Sequence, residues 1–182
     1  DLNFSSLISN DLNFAILPSY IFDQSINEIT RSLLSAIISA IVIFNKTLRQ
    51  ICASSEFINA AKDAIQDAKT SQFILWLLIL LKRSFSLFSA DFSSFYNCSS
   101  HIQIAVCLFH QMPEVRAAAI SALSCFMQSD ECVLNLHLIL FSIGLFNDVS
   151  YLVRYQLVLL LSRFLSSIHT PFSSNFESYS AV

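Results

Sequence analysis

The sequence predicts an all-α fold, and three observations carry this prediction. The 182 residues include one glycine, Gly144, and three prolines, whereas 54% of the residues are hydrophobic. β-Hairpins, barrels and phosphate-binding loops need residues at positive φ, a conformation that glycine adopts most readily. The apolar residues recur in short runs at helical spacing, and one motif returns at a regular interval. The chain is long enough to bury the core of one domain.

The returning motif is a Val-Arg pair that opens a helical pattern. It occurs in PEVRAAAISALSCF from Pro113 and in YLVRYQLVLLLSRF from Tyr151, at an offset of 38 residues. The alignment pairs the following residues: Val115 with Val153, Arg116 with Arg154, Leu123 with Leu161, Ser124 with Ser162, and Phe126 with Phe164. Earlier, FILWLLILLKRSF places Ile74 and Leu81 in the arginine and leucine positions, and ITRSLLSAIISAIVIF places Arg31 and Ile38 there.

Four copies at intervals of 38 to 43 residues predict a repeat architecture. Each interval leaves room for another helix, at 54–68, 99–111 and 130–146, and each of these segments starts near a Ser or Asp that can cap it. Two helices in a period near 40 are typical of HEAT and armadillo repeats. We therefore expect an α-solenoid of about four repeats that forms a single domain over 1–182. Its second helices are expected near 29–45, 71–85, 113–128 and 151–166.

The Val-Arg motif predicts how successive repeats are joined. Pro113 suits the first helical position, and Glu114 suits the positive end of the helix dipole. Arg116 and Arg154 can reach an acid in the preceding turn or in the neighbouring repeat. Asp148 lies six residues before Arg154, whereas His110 takes that place before Arg116. We expect a structural ladder here; the alternative is a surface ion pair that contributes ~0–1 kcal/mol.

The apolar positions between the motifs are expected to form the core, because one helix pair cannot bury its own faces. The expected core residues are Trp76, Leu81, Leu123, Phe126, Leu161 and Phe164. The Phe-rich segment 83–97 is expected to pack its aromatic rings onto adjacent helices.

Composition argues against several functions. The net charge of −3 is spread along the chain without a basic stripe, so no nucleic-acid partner is expected. The lone Gly144 excludes the glycine-rich nucleotide-binding loops and the G-x-S-x-G turn, so we expect no cofactor and no enzyme activity. The five cysteines, an odd number, indicate reduced thiols.

Two alternatives remain open from the residues alone. Cys98, His101, Cys107 and His110 have ligand types that zinc accepts, although the apolar spacing around them favours a buried Cys107 and no metal site. The high hydropathy also allows a small polytopic membrane protein. A spanning helix needs about 20 apolar residues, however, and charged or polar residues interrupt every run before that length. No membrane insertion is therefore expected.

The same residues resemble a known family. MPEVRAAAISALSCFM is similar to the armadillo/HEAT region of Raptor proteins, the scaffold subunits of the TOR kinase complex. NDVSYLVRYQLVLLLSRFL and SSNFES resemble the segments that follow it in that family. FILWLLILLKRSF, RQICASSEFINAAKDAIQD and LPSYIFDQSINEITRSLLSAIISAIVIF resemble those that precede it. This sequence has Ser124 where the family has glycine, and Ile74 where it has arginine.

The resemblance implies a non-catalytic scaffold that docks on the HEAT repeats of a TOR-type kinase in nutrient and growth signalling. As in the animal members, it also implies contact with Rag-type small GTPases. The location would be cytoplasmic, with peripheral recruitment to the lysosome or vacuole membrane. Since the chain starts at Asp1, we expect a fragment of a longer protein. The alternative is a HEAT/armadillo adaptor of another kind. We expect the isolated chain to aggregate through apolar end repeats.

Overall fold

The computed structural model describes residues 16–85, 100–125, 139–140 and 142–169. Most of these residues are helical and none forms a strand, which confirms the all-α prediction. In this part of the chain, eight α-helices pack against one another. They are α1 (Leu17–Tyr20), α2 (Glu28–Ile41), α3 (Lys46–Cys52), α4 (Ser55–Asp67), α5 (Ser71–Phe85), α6 (Ser100–Val106), α7 (Pro113–Leu123) and α8 (Tyr151–His169). Short 3-10 turns cover Cys107–Phe109 and Gly144–Asn147.

Polar side chains begin most of the helices in the first half of the chain. Asn27 accepts a hydrogen bond from the Ile29 N–H at 2.9 Å, and Asn45 accepts one from the Leu48 N–H at 2.9 Å. Ser54 accepts from the Phe57 N–H at 3.2 Å. Each bond satisfies a backbone donor that has no partner within the helix, so these residues fix where the helices start. Helix α7 begins differently, with Pro113 in its first turn.

Helices α2, α5, α7 and α8 form a row in which each helix packs against the next. We call this the main row. Helix α4 packs on α5 and α6, and α6 packs on α7, so these two helices lie against the middle of the row. Helix α1 packs on α2 and α3, and α3 also contacts α5. The four helices of the main row are those that carry the four aligned copies of the sequence.

The core is continuous along the main row. Leu77, Leu80, Ile120 and Leu160 are completely buried, and Val153 is as well. Among the expected core residues, Leu81 and Leu123 are buried, and Leu161 and Phe164 pack half-buried against the core. Phe126 lies outside the described residues, as does most of the segment 83–97.

Trp76 is a correction, because it is only partly buried and is not among the hydrophobic residues that form the core or pack against it. Helix α5 buries Phe73 and Leu77 on one side. Helical geometry places Trp76 on the same stripe as Gln72 and Ile79, which are also partly or fully exposed. Its apolar character alone therefore gave a misleading indication of burial.

Small hydroxyl residues are buried within the main row. Ser35 and Ser39 in α2 donate hydrogen bonds to backbone carbonyls of Arg31 and Ala36, both at 2.8 Å. Ser84 in α5 donates to the Leu80 carbonyl at 2.9 Å. These hydroxyls are therefore satisfied by their own helices and need no partner on a neighbouring one.

None of the described helices combines the length and the apolar character needed to cross a bilayer. Two of the apolar runs that suggested the membrane alternative lie in α5 and α8, which belong to the main row. Helix α5 buries most of its apolar residues against its neighbours, whereas α8 buries Val153, Leu157 and Leu160 on one side.

Three cysteines are buried thiols, Cys52, Cys107 and Cys125. Burial raises the pKa of Cys52 to about 12 and that of Cys107 to about 11. Burial also raises the pKa of Cys125, partly offset by the nearby Arg163 and Lys82. Since the thiolate is the reactive form, these positions are poor nucleophiles in the folded protein.

We therefore expect Cys52, Cys107 and Cys125 to resist alkylation by iodoacetamide at pH 8 in the folded chain. The same cysteines should react fully in denaturant, which serves as the control for peptide detection. The measurement is mass spectrometry of peptides after a short labelling pulse. Rapid native labelling of Cys52 would contradict its burial.

Candidate functional site

The turn that precedes α8 is bound by the arginine of the previous copy. Arg116 in α7 donates through Nε to Oδ2 of Asp148 at 2.7 Å and through Nη2 to Oδ1 at 2.8 Å. The two side chains are only 14% and 6% exposed. A guanidinium and a carboxylate joined by two parallel bonds have a fixed relative orientation. The pair therefore fixes how α8 and its turn sit against α7.

The same guanidinium also binds its own preceding turn. Nη1 of Arg116 donates to the carbonyls of His110 and Gln111 at 2.7 and 2.8 Å. The sequence left open an acid in the preceding turn or one further along. The acid that Arg116 binds, Asp148, precedes the next copy, and the preceding turn supplies backbone carbonyls instead. Arg116 thus joins two successive turns through different edges of one planar group.

Arg154 repeats half of this arrangement. Its Nη1 donates to the carbonyls of Asp148, at 2.5 Å, and Val149, at 3.1 Å, which lie six and five residues earlier. Arg116 binds carbonyls at the same two sequence separations. The backbone carbonyl of Asp148, six residues before Arg154, therefore accepts a hydrogen bond from Arg154. The carboxylate of Asp148 accepts from Arg116. In the other copy, the His110 carbonyl takes the same backbone role.

Related contacts tie the other N-terminal ends of the main row. Glu28 in α2 accepts hydrogen bonds from the N–H groups of Lys69 and Thr70, at 3.2 and 2.6 Å, just before α5. It also accepts from the Thr70 hydroxyl at 2.5 Å. Ser71 in α5 lies 3.3 Å from Nε2 of His110, just before α7. Every helix of the row except the last thus contacts, from its start, the turn that precedes the next helix.

The C-terminal ends of the row carry a second set of contacts, which follow the sequence alignment. Arg83 in α5 donates to the carbonyl of Ser39 in α2 at 2.8 Å. Cys125, just after α7, donates to the Lys82 carbonyl at 3.8 Å. Arg163 in α8 donates to the hydroxyl of Ser124 at 2.9 Å. If the arginine position of each copy is numbered 0, every donor is at position +9 and every acceptor is at position +8 of the preceding copy.

The equivalence of these positions was not used to build the alignment, which rested on positions −1, 0, +7, +8 and +10. Residues at position +9 differ in type between the copies: Ala40, Arg83, Cys125 and Arg163. The sequence reasoning therefore missed Arg83 and Arg163. Arg163 lies nine residues after the arginine of a Val-Arg motif, but the copy that contains Arg83 has Phe73 and Ile74 in place of that motif.

The two acids of these contacts, Asp148 and Glu28, have a lowered pKa. The hydrogen bond from Arg116 lowers the pKa of Asp148, and the Ser150 N–H, which donates to Oδ1 at 2.8 Å, acts in the same direction. Partial burial opposes this effect. For Glu28, partial burial raises the pKa, but the hydrogen bonds from Thr70 and Lys69 outweigh it, so the net shift is downward. Both carboxylates are therefore held in the ionised form by the folded structure.

The remaining motif residues have simpler positions. Val115 and Val153 are completely buried, Glu114 is exposed in the first turn of α7, and Pro113 is half-buried. Cys107 donates to the Gln103 carbonyl at 3.7 Å, and Nδ1 of His110 accepts from the Met112 N–H at 3.0 Å. Cys98 and the side chain of His101 lie outside the described residues. Within the described part of the chain, no group of three or more metal-ligand side chains converges.

A cleft of about 630 Å³ opens between the N-terminal half of α2 and one side of α4. Arg31 lies over the Phe73 ring, with its guanidinium carbon 4.9 Å from the ring centre. Its Nε has no hydrogen-bond partner among the described residues. Asp63, Asp67 and Lys69 line the same cleft. Because side chains of both charges line the cleft, its charge favours neither a cationic nor an anionic ligand.

No family model matches the chain, and no curated protein matches it.

Replacing Arg116 by Ala should destabilise the fold by about 2 kcal/mol, because the buried carboxylate of Asp148 loses both of its charged donors. Arg154→Ala is the matched control. It removes an exposed arginine with bonds to local carbonyls, and its cost should be below about 0.5 kcal/mol. The measurement is the free energy of unfolding in urea. Equal losses in the two variants would contradict the structural role of the Arg116 pair.

The lowered pKa of Asp148 makes the pair sensitive to acid. A carboxyl whose folded pKa lies below its unfolded value stabilises the fold above that unfolded value, about 3.9 for Asp, and loses its contribution as pH falls through the folded value. Urea unfolding between pH 7 and pH 3 should therefore show a loss of stability that Asp148→Asn reduces. A wild-type slope in the Asp148→Asn variant would argue against this origin.

Proposed function

We propose that this chain is a non-catalytic scaffold, an α-solenoid of HEAT/armadillo type that serves as the helical region of a Raptor-like subunit of a TOR kinase complex. The observation that carries the solenoid part is the set of contacts between positions +8 and +9 at all three junctions of the main row. Contacts that recur at equivalent positions are what stacked repeats require, since each repeat touches only its neighbours.

The arrangement of the second layer supports the same proposal. Helices α4 and α6 each precede a main-row helix in sequence and pack on it, as the first helix of a repeat packs on the second. The intervals between aligned positions also fall in the range of HEAT and armadillo repeats. A stack of this kind presents a long, rigid surface, which suits a scaffold better than a catalyst.

The Raptor-like part of the proposal rests on sequence resemblance. Its most specific segment is MPEVRAAAISALSCFM, and the segments around it follow the order found in that family. The partner would be the HEAT-repeat region of a TOR-type kinase, and Rag-type GTPases are the second partner class. The same proposal places the protein in the cytoplasm, with peripheral recruitment to the lysosome or vacuole membrane.

The test is a tagged pull-down of the full-length protein from its own cells in detergent-free buffer, analysed by mass spectrometry. We expect a TOR-type kinase among the recovered proteins. Arg116→Ala should lower its recovery, because a rigid surface needs an ordered α7–α8 junction, whereas Glu114→Gln should not. Circular dichroism of both purified chains controls for global unfolding.

Two outcomes would overturn parts of this proposal. Recovery of other proteins without a TOR-type kinase would remove the Raptor-like assignment and favour a HEAT/armadillo adaptor of another kind. Protein found only in the membrane pellet, and released only by detergent, would overturn the solenoid proposal itself.

A further inference from the structure

The alignment shows which positions of a main-row helix face the next helix. Position +4 is completely buried in the first three copies, at Ser35, Leu78 and Ile120. The equivalent residue of α8, Val158, is 59% exposed. Because α8 is the last described helix of the row, position +4 is exposed where no further helix packs. Position +4 therefore belongs to the forward face of each helix.

The polar positions of that forward face are also open on α8. The Arg116 side chain binds its own turn through Nη1 and the next turn through Nε and Nη2. The side chain of Arg154 binds described residues through Nη1 alone. Ser162, at position +8, is exposed, whereas Ser39 and Ser124 at the same position accept a donor from the next helix. We call the exposed forward side of α8 the α8 face. It consists of Tyr151, Arg154, Tyr155, Val158 and Ser162.

Helix α2 has the complementary open side. Position +6 is completely buried at Leu80, Ala122 and Leu160, whereas Ile37 at the same position of α2 is 54% exposed. This position therefore faces the preceding helix, and α2 has none in the described chain. Ile29 and Leu33 are exposed beside it. Together these three residues form the α2 face.

The turn before α2 resembles the turn that receives Arg116. The Ser25 N–H donates to Oδ1 of Asp23 at 2.9 Å, just as the Ser150 N–H donates to Oδ1 of Asp148 at 2.8 Å. Both turns thus present an aspartate with the same local geometry, in the sequence Asp-x-Ser. Asp23 lies two residues further from its position 0 than Asp148 does. It is the one acid among the described residues that precede α2.

We propose that the α8 face of one copy of this chain docks on the α2 face of a second copy, head to tail, with Arg154 directed towards Asp23 of the second copy. The contact continues the row, since it joins the same positions that join α7 to α8. It rests on the solenoid part of the proposed function and is independent of the kinase partner.

Two properties of the surfaces favour a second copy as the occupant. The centre of each face is apolar. Arg154 gives the α8 face a positive charge near the start of its helix, and Asp23 places a negative charge in the turn before the α2 face. The faces are also different from each other, so the contact is heterologous and leaves one open face at each end of the assembly. Assembly beyond a dimer is therefore expected.

The experiment is sedimentation velocity of the purified 182-residue chain over a range of concentrations. The wild-type chain should form dimers and longer species as concentration rises. Arg154→Glu should weaken association by about tenfold, because it places like charges opposite each other. Asp23→Arg should do the same, and the double variant should recover association. Lys46→Glu, at an exposed lysine outside both faces, should behave like the wild type.

Circular dichroism checks that every variant is folded. A wild-type chain that stays monomeric throughout the range would overturn the proposal. Association that all variants share equally would overturn it as well, since other surfaces would then be responsible. Two weakened single variants without recovery in the double variant would rule out the Arg154–Asp23 pairing. Kinase recovery in the pull-down tests the proposed function separately, so either result can fail without the other.

Discussion

The guanidinium of Arg116 joins two successive turns of the chain, and the position of α8 depends on it. One edge of the group binds the carbonyls of the turn before α7, and another edge binds the carboxylate of Asp148 before α8. Hydrophobic burial between α7 and α8 is not directional and allows the helices to slide. The planar, two-bonded pair selects one of these arrangements because its geometry tolerates little displacement.

The other junctions of the main row reach the same result with different residues. Glu28 caps the start of α5 from α2, and Ser71 meets His110 before α7. At the opposite ends, arginine or cysteine donors bind the preceding helix. Each junction is thus held at both ends by polar contacts, with apolar burial between them. The chemistry varies, but the positions of the contacts along the helices are nearly constant.

The all-α fold could be predicted from the sequence, because the apolar residues recur at helical spacing and turn-forming residues are few. The sequence also indicated that Arg116 would bind an acid or a turn nearby. Trp76 was misjudged because hydropathy does not reveal which side of a helix faces solvent. Arg83 and Arg163 were missed because their equivalents, Ala40 and Cys125, differ in type. Side chains at equivalent positions can make the same contact if they point in the same direction, even when the residue types differ.

The buried serines of the main row affect its mechanics. Ser35, Ser39 and Ser84 donate to carbonyls of their own helices, and those carbonyls also lie on the helical hydrogen-bond ladder. A carbonyl shared between a hydroxyl and an amide lets a helix bend slightly at that point. When the row is bent, we expect each helix to bend along its length while the polar contacts at its ends are kept. A row of helices joined in this way can change its curvature slightly while the contacts at its junctions stay intact.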